Sequence, residues 1–250
     1  MTTADTQAVV TPTDSRNGEA GRLCVQRLVT PPTPYHEQDG IRIFCGDNRQ
    51  IVPLLGEYDL MLTDPPYGIN ADVEQNARAG KQYGKAAARS RGYDASEWDN
   101  RTPSPWVLEM AMTKSRWSIV WGGNYFGLRA ARGWLVWDKD NGENKYADCE
   151  LAWTNLDMAV RRIKYRWAGM LQENMSEKEV RYHPTQKPVP VMEWSIGHTE
   201  AKTILDPWMG SGTTLIAARA KGLRADGIEI NEQYCAAAVA RLSQGVLLAV

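Results

Sequence analysis

Four consecutive residues, Asp64-Pro65-Pro66-Tyr67, follow the apolar run Tyr58-Asp59-Leu60-Met61-Leu62-Thr63. A buried strand ending at Thr63 would present them just past its carboxyl end, where open α/β sheets hold their ligands. Asp64 offers a carboxylate acceptor, and Pro65 a backbone carbonyl with no N–H beside it. The paired prolines keep the turn extended, and Tyr67 adds an aromatic face. Such a corner suits a planar group bearing an exocyclic amine, with two acceptors for the amino hydrogens and a ring to stack on. A Pro-rich turn carrying an exposed acid would read the same way, so this segment alone does not decide.

A second segment adds weight. Thr203-Ile204-Leu205-Asp206-Pro207-Trp208-Met209-Gly210-Ser211-Gly212-Thr213-Thr214 reads as strand, glycine turn and helix start. Gly210 and Gly212 permit a tight turn and let the backbone approach a ligand closely. Further on, Ala225-Asp226-Gly227-Ile228-Glu229-Ile230 is a short strand ending near an acid, the place from which a carboxylate binds ribose hydroxyls in a β-α-β unit. The turn is no phosphate-binding P-loop, since Thr213 stands where its lysine would follow the last glycine. The dinucleotide glycine spacing is also incomplete. A nucleoside without phosphates fits better than a nucleotide.

These residues resemble the amino-group DNA methyltransferases that use S-adenosylmethionine, over roughly residues 40 to 243. Asp64-Pro65-Pro66-Tyr67 is similar to their catalytic motif, and Asp206-Pro207-Trp208-Met209-Gly210-Ser211-Gly212 to their cofactor motif, with Trp208 where Phe is usual. His183-Pro184-Thr185-Gln186-Lys187-Pro188 resembles the segment that precedes the cofactor motif. The catalytic motif comes first, as in the permuted β-group. The resemblance implies a Rossmann-like, seven-stranded, mostly parallel α/β sheet with circularly permuted motif order. It implies cofactor contacts from Asp206, Pro207, Gly210, Ser211, Gly212 and Thr213, from Glu229 on the ribose, from Asp47 near the adenine amine, and from His183, Thr185, Gln186 and Lys187. A catalytic role falls to Asp64, Pro65, Pro66 and Tyr67.

Composition sets the frame. The chain has 250 residues, 43% hydrophobic and 24% charged, ordinary for one globular domain. No apolar stretch approaches the ~20 residues of a membrane span, and the polar, Thr-rich start lacks a signal-peptide core. Four scattered cysteines and three histidines suggest neither a metal site nor a disulfide framework, so a cytoplasmic setting is expected; the resemblance adds the expectation of a bacterial or phage-encoded enzyme. A formal net charge of −1 gives no global attraction to nucleic acid. Contact with double-stranded DNA must come from local basic patches.

The elements that must position the motifs follow from the alternation of patterns. Residues 1–38 read as a flexible leader and 39–250 as the catalytic domain. Strands are expected at Ile41–Cys45, Tyr58–Thr63, Trp117–Trp121, Trp134–Trp137, Cys149–Trp153, Thr203–Asp206 and Ala225–Ile230. Helices are expected at 46–55, 103–115, 124–132, 189–198 and 232–242, with another after Thr213. The strands at 134 and 149 have no helix between them, so one of that pair should run antiparallel. Two basic stretches interrupt the pattern. The loop 74–93 carries Arg78, Lys81, Lys85, Arg89 and Arg91, and an insert at about 156–182 carries Arg161, Arg162, Lys164, Arg166 and Trp167. Cations interleaved with aromatics suit phosphate and base contacts, and the resemblance puts target recognition in the second stretch. Solvated surface segments would look similar.

The expected reaction is methyl transfer to N6 of an adenine flipped out of DNA, since Asp as the first motif residue resembles adenine-modifying members. Alternatives are N4 of cytosine, an RNA substrate, and a non-catalytic nucleic-acid-binding module of the same fold. A small-molecule substrate would leave both basic stretches without a purpose. The resemblance is also compatible with a homodimer.

Overall fold

The computed structural model describes residues 32–68, 102–142, 147–168, 171–174, 176 and 186–244. The basic loop 74–93, with Arg78, Lys81, Lys85, Arg89 and Arg91, lies outside the described residues, as do His183 and Thr185. Nine strands form one sheet: β1 (His36–Gln38), β2 (Ile41–Cys45), β3 (Tyr58–Thr63), β4 (Ser115–Trp121), β5 (Trp134–Asp138), β6 (Cys149–Thr154), β7 (Arg161–Lys164), β10 (Thr203–Asp206) and β11 (Arg224–Glu229). Their order is β1-β2-β11-β10-β3-β4-β6-β5-β7, while β8 (Trp167–Ala168) and β9 (Leu171–Gln172) make a separate ribbon. Among the described residues five helices accompany them: α1 (Asn48–Ile51), α2 (Pro105–Thr113), α3 (Val189–Ile196), α4 (Thr213–Ala220) and α5 (Glu232–Ser243).

All seven strands expected from the sequence lie in this sheet, in an α/β arrangement that is mostly parallel. β6 is antiparallel to both β4 and β5, which identifies the reversed member of the 134/149 pair. Two edge strands were not expected. β1 pairs antiparallel with β2 across Asp39-Gly40, both at positive φ as a type I′ hairpin turn requires. The ordered sheet therefore starts at His36, inside the segment read as leader, because three residues are too few to show an alternating pattern. β7 pairs parallel with β5 at the opposite edge, and its exposed arginines and lysine discourage further strand addition.

The helix expected over 124–132 does not form. Gly123–Tyr125 makes a single 3-10 turn, Phe126 is extended, and the segment runs on without regular structure. Gly127 weakens the helix there, and Phe126, Leu128 and Ala131 instead pack against the core. The helix expected over 46–55 is split, with α1 followed by a 3-10 turn at Val52–Leu54 that contains Pro53.

β3 is buried on both faces, which explains its continuous apolar run. Leu60 and Leu62 join Ile119 and Ile204 on one side of the sheet, and Met61 joins Val120, Leu205 and Ile228 on the other. Each such side chain contributes about 1.5–3 kcal/mol. β3 pairs parallel with β10 in the register Ile204↔Leu60 and Leu205↔Met61. From β10 the chain returns through α4 to β11, on one side; from β3 it continues to β4, on the other. The strand order reverses between β3 and β10, and a crevice at their carboxyl ends is the expected ligand site. Among the described residues no helix is long and apolar enough to cross a membrane.

Candidate active site

The crevice brings the two motifs together. Thr63, the last residue of β3, donates from Oγ1 to Asp206 Oδ1 at 2.7 Å, and both side chains are buried. The Asp64-Pro65-Pro66-Tyr67 corner and the glycine turn thus leave adjacent parallel strands and are tied at their roots by a hydrogen bond spanning 143 residues of sequence.

On the corner itself, Asp64 is held from both sides. Its Oδ1 accepts from the Tyr67 hydroxyl at 2.5 Å and its Oδ2 from Lys187 Nζ at 2.5 Å. Lys187, only 4% exposed, also donates to Tyr67 Oη at 3.0 Å and pairs with Glu150 Oε2 at 2.8 Å. Glu150 Oε1 in turn meets Lys139 Nζ at 2.6 Å. Burial pushes the Asp64 carboxyl up, against the pull of Lys187 and with a further push from Glu150. Burial also acts to raise Glu150, but the ammonium groups of Lys187 and Lys139 outweigh it and hold its pKa at about 2. The difference between the two acids has a simple cause: Glu150 faces two cations, whereas Asp64 faces one and shares it.

The Tyr67 ring stacks on Tyr125, with centroids 4.8 Å apart and planes at 18°, and meets Phe126 edge-on. Gly122, at φ 68°, makes this possible, since a Cβ there would lie 2.0 Å from Tyr67 Cε1. One face of Tyr67 is therefore covered by Tyr125, which is itself 46% exposed.

The glycine turn matches its expected form. Gly210 and Gly212 have φ of 51° and 81°, and Thr213 opens α4. Glu229 ends β11 beside the turn, where its Oε2 accepts from Gly210 N at 3.1 Å and its Oε1 from Asn231 N at 2.8 Å. Burial raises its pKa. Arg241 of α5 braces the turn from behind, donating to the Ser211 carbonyl at 2.7 Å, to Ser211 Oγ and to Thr213 Oγ1. Burial pushes the Asp206 carboxyl up to about 7, although it accepts from Thr63 and from Trp208 N. The Pro207 carbonyl accepts from Asn48 Nδ2 at 3.0 Å. Asp47 caps α1 and is engaged by the Arg49 guanidinium, which holds its carboxyl below the usual range.

Several expected site residues lie elsewhere than anticipated. Lys187, grouped with the cofactor contacts, places its ammonium on Asp64 instead, while its neighbour Gln186 accepts from Ser211 Oγ at 3.4 Å. Two successive residues thus reach the two halves of the crevice. Trp167, expected to touch DNA, is only 6% exposed and packs into the core, because its large apolar surface gains more from burial than from a surface position. Arg162, Lys164 and Arg166 are exposed but paired with Asp138 and Asp140 of the β5 end. Arg161 is exposed, with no ion pair among the described residues. Sequence reading missed Glu150, Lys139, Tyr125 and Arg241. A carboxylate inside the apolar run Cys149-Glu150-Leu151-Ala152-Trp153 is the one signal that pointed to Glu150.

Residues 136–240 match a family model described as a DNA methylase, N6_N4_Mtase. The match takes in the glycine turn and Lys187 but not Asp64. The chain is 31% identical to the type II methyltransferase M2.LlaDCHI of Lactococcus lactis subsp. cremoris, over 59% of this chain and 49% of that relative. It is 25% identical to the type II methyltransferase M.ScaI of Streptomyces caespitosus, over 84% and 83%. The chain thus spans about half the length of the first of these relatives. Among solved structures, the PvuII DNA methyltransferase, described as cytosine-N4-specific, superposes with a TM-score of 0.55 over 88% of this chain and 91% of its own, at 14% identity. That likeness is one of fold.

Proposed function

We propose that this chain, a member of the N6/N4 family of DNA methylases, transfers a methyl group from S-adenosylmethionine to the N6 amine of an adenine flipped out of double-stranded DNA. The observation that carries the reading is the Thr63–Asp206 hydrogen bond, which sets the amine-binding corner beside the cofactor turn.

The turn suits the cofactor. Two carboxylates, Asp206 and Glu229, bracket two positive-φ glycines, and Thr213 stands where a phosphate-binding lysine would follow the last glycine. Asp206 would face the ammonium of the methionine moiety, and Glu229 the ribose hydroxyls. Gln186 braces the turn through Ser211. The cofactor, when bound, supplies an electrophilic methyl group on a sulfonium.

The chain's own residues do the rest. An aromatic amine is a poor nucleophile because its lone pair is delocalised into the ring. Asp64 and the Pro65 carbonyl accept the two amino hydrogens, localise that lone pair and aim it at the methyl group. These contacts strengthen as positive charge develops on nitrogen, which is when they lower the barrier. Asp64 need not remove a proton before attack, since the charged product nitrogen loses one readily. Flipping the base costs a few kcal/mol, offset by stacking of roughly 1–3 kcal/mol on the Tyr67–Tyr125 aromatic pair.

Adenine is favoured over cytosine because the motif begins with Asp. Nucleoside mass spectrometry of DNA incubated with the chain and cofactor should find N6-methyladenine. Only N4-methylcytosine would overturn the choice of base, and no methylated base on mixed-sequence DNA would leave a binding module.

A further inference from the structure

We propose that Glu150 is a positioning residue for the catalytic corner: it offsets the field of the buried Lys187 ammonium, so that Lys187 does not cancel the attraction of Asp64 for the target amine. The inference rests on the reading of Asp64 as an amine acceptor.

The sheet itself brings Glu150 to the site. β6 runs against its neighbours, so a residue near its start arrives at the carboxyl ends of β4 and β5, where Glu150 pairs in register with Trp137 and Ala152 with Trp121. There the four formal charges of Asp64, Glu150, Lys187 and Lys139 alternate along one chain of contacts at 2.5, 2.8 and 2.6 Å. Lys187 has three protons to donate, and it directs them at Asp64, Glu150 and Tyr67 Oη, so its orientation is fully determined.

The chemistry explains why a second carboxylate matters. Positive charge grows on the amine nitrogen as the methyl group is transferred, and an ammonium on the same Asp64 carboxylate opposes that charge. This opposition is strong where the cation is buried, as the Lys187 side chain is. With Glu150 on the far side of Lys187, the lysine is shared and its field at the amine is largely cancelled. Without Glu150, Lys187 would pair with Asp64 alone and take up the charge the substrate needs. Lys139 completes the arrangement by keeping Glu150 ionised, and the Glu150 pKa, held at about 2, agrees with that role.

The test uses the full chain with methyl-tritiated cofactor and duplex DNA. E150Q should lower kcat at pH 7.5 by about ten- to hundredfold, leaving KM for the cofactor within about twofold. Its kcat should then climb above pH 8 as the buried Lys187, now with one carboxylate partner, loses its proton; wild type should stay flat there. The double variant E150Q/K187M should be more active than E150Q alone. A flat E150Q profile, or losses that simply add, would overturn the inference, because a purely structural role predicts both. Lysine 13Cε NMR reads the same coupling without DNA. Lys187 should titrate at lower pH in E150Q than in wild type, and an unchanged titration would also overturn it. If E150Q does not fold, K139M serves, since Glu150 then loses one cation and the acid limb of the kcat profile should move upward; an unmoved limb counts against the proposal. A wild type that methylates nothing refutes the proposed function, and the Lys187 titration then decides this inference by itself.

Discussion

The two halves of the crevice are built differently. The proposed cofactor half is a backbone construction: a strand, a glycine turn and a helix start within residues 203–220, closed by Glu229 accepting two backbone N–H bonds. The proposed catalytic half is a side-chain construction, in which Asp64, Lys139, Glu150 and Lys187 come from four separate parts of the chain and meet through charge. A backbone site tolerates the loss of one contact because the turn persists, whereas a charge relay fails when one member is removed, since its partner is left buried and unpaired.

The sharpest way to break this contrast is Asp64→Ala. Transfer to DNA should fall by about a thousandfold, with the cofactor dissociation constant unchanged in titration calorimetry. Should the variant retain near-normal transfer, the corner is not the amine site. Glu229→Ala is the matching cut in the other half. Loss of charged hydrogen bonds should weaken cofactor binding by about ten- to hundredfold, with kcat at saturating cofactor little affected. Equal affinity in calorimetry would remove Glu229 from the ribose site.

A smaller effect concerns pH. Asp206 has its folded pKa raised by burial to about 7, well above the ordinary carboxylate value. The folded chain thus holds a proton there that the unfolded chain has released, so this group's contribution to stability declines as pH rises from about 4 to 7. Binding a cationic ligand favours the ionised form. Cofactor affinity should therefore climb by up to about tenfold per unit as pH approaches 7, then level off. Asp206→Asn should abolish the slope; a wild-type affinity that is constant between pH 5.5 and 7.5 would show that Asp206 does not face the ammonium.

The contrast also explains what could be read from the sequence. The glycine turn and the strand ends at Asp64, Asp206 and Glu229 were legible because strand, turn and helix signals are local and spaced within a few residues. The seven central strands were legible for the same reason. Glu150 and Lys139 were not, since nothing in a linear pattern states that an antiparallel strand will carry a carboxylate to a lysine 37 positions later. Lys187 is legible as part of its motif, but its contact with Asp64 is not, because its segment touches both halves of the crevice. The 124–132 helix failed where tertiary packing of Phe126 and Leu128 overrode a weak local preference. Trp167 was misplaced because an aromatic among cations looks the same in sequence whether it faces DNA or the core.

The smallest effect is expected at the sheet edge, and it extends the comparison to charges that surround no catalytic group. Arg161 and Lys164 both lie on β7, both exposed, yet among the described residues only Lys164 of the two has an acid beside it, Asp140 at 2.8 Å. A cation that already faces a carboxylate releases few counterions when it meets a phosphate, because the acid stays nearby and keeps the local charge low. Arg161→Gln should therefore reduce the slope of log affinity against log salt by roughly 0.9 if it meets a phosphate. Lys164→Gln should change that slope by much less, although the residues are three apart on the same strand. Fluorescence anisotropy on a DNA duplex across a salt series measures both. Equal slope losses would mean that Asp140 gives up its lysine on DNA and that this edge behaves like an open basic patch; no change for Arg161 would place the DNA path away from β7.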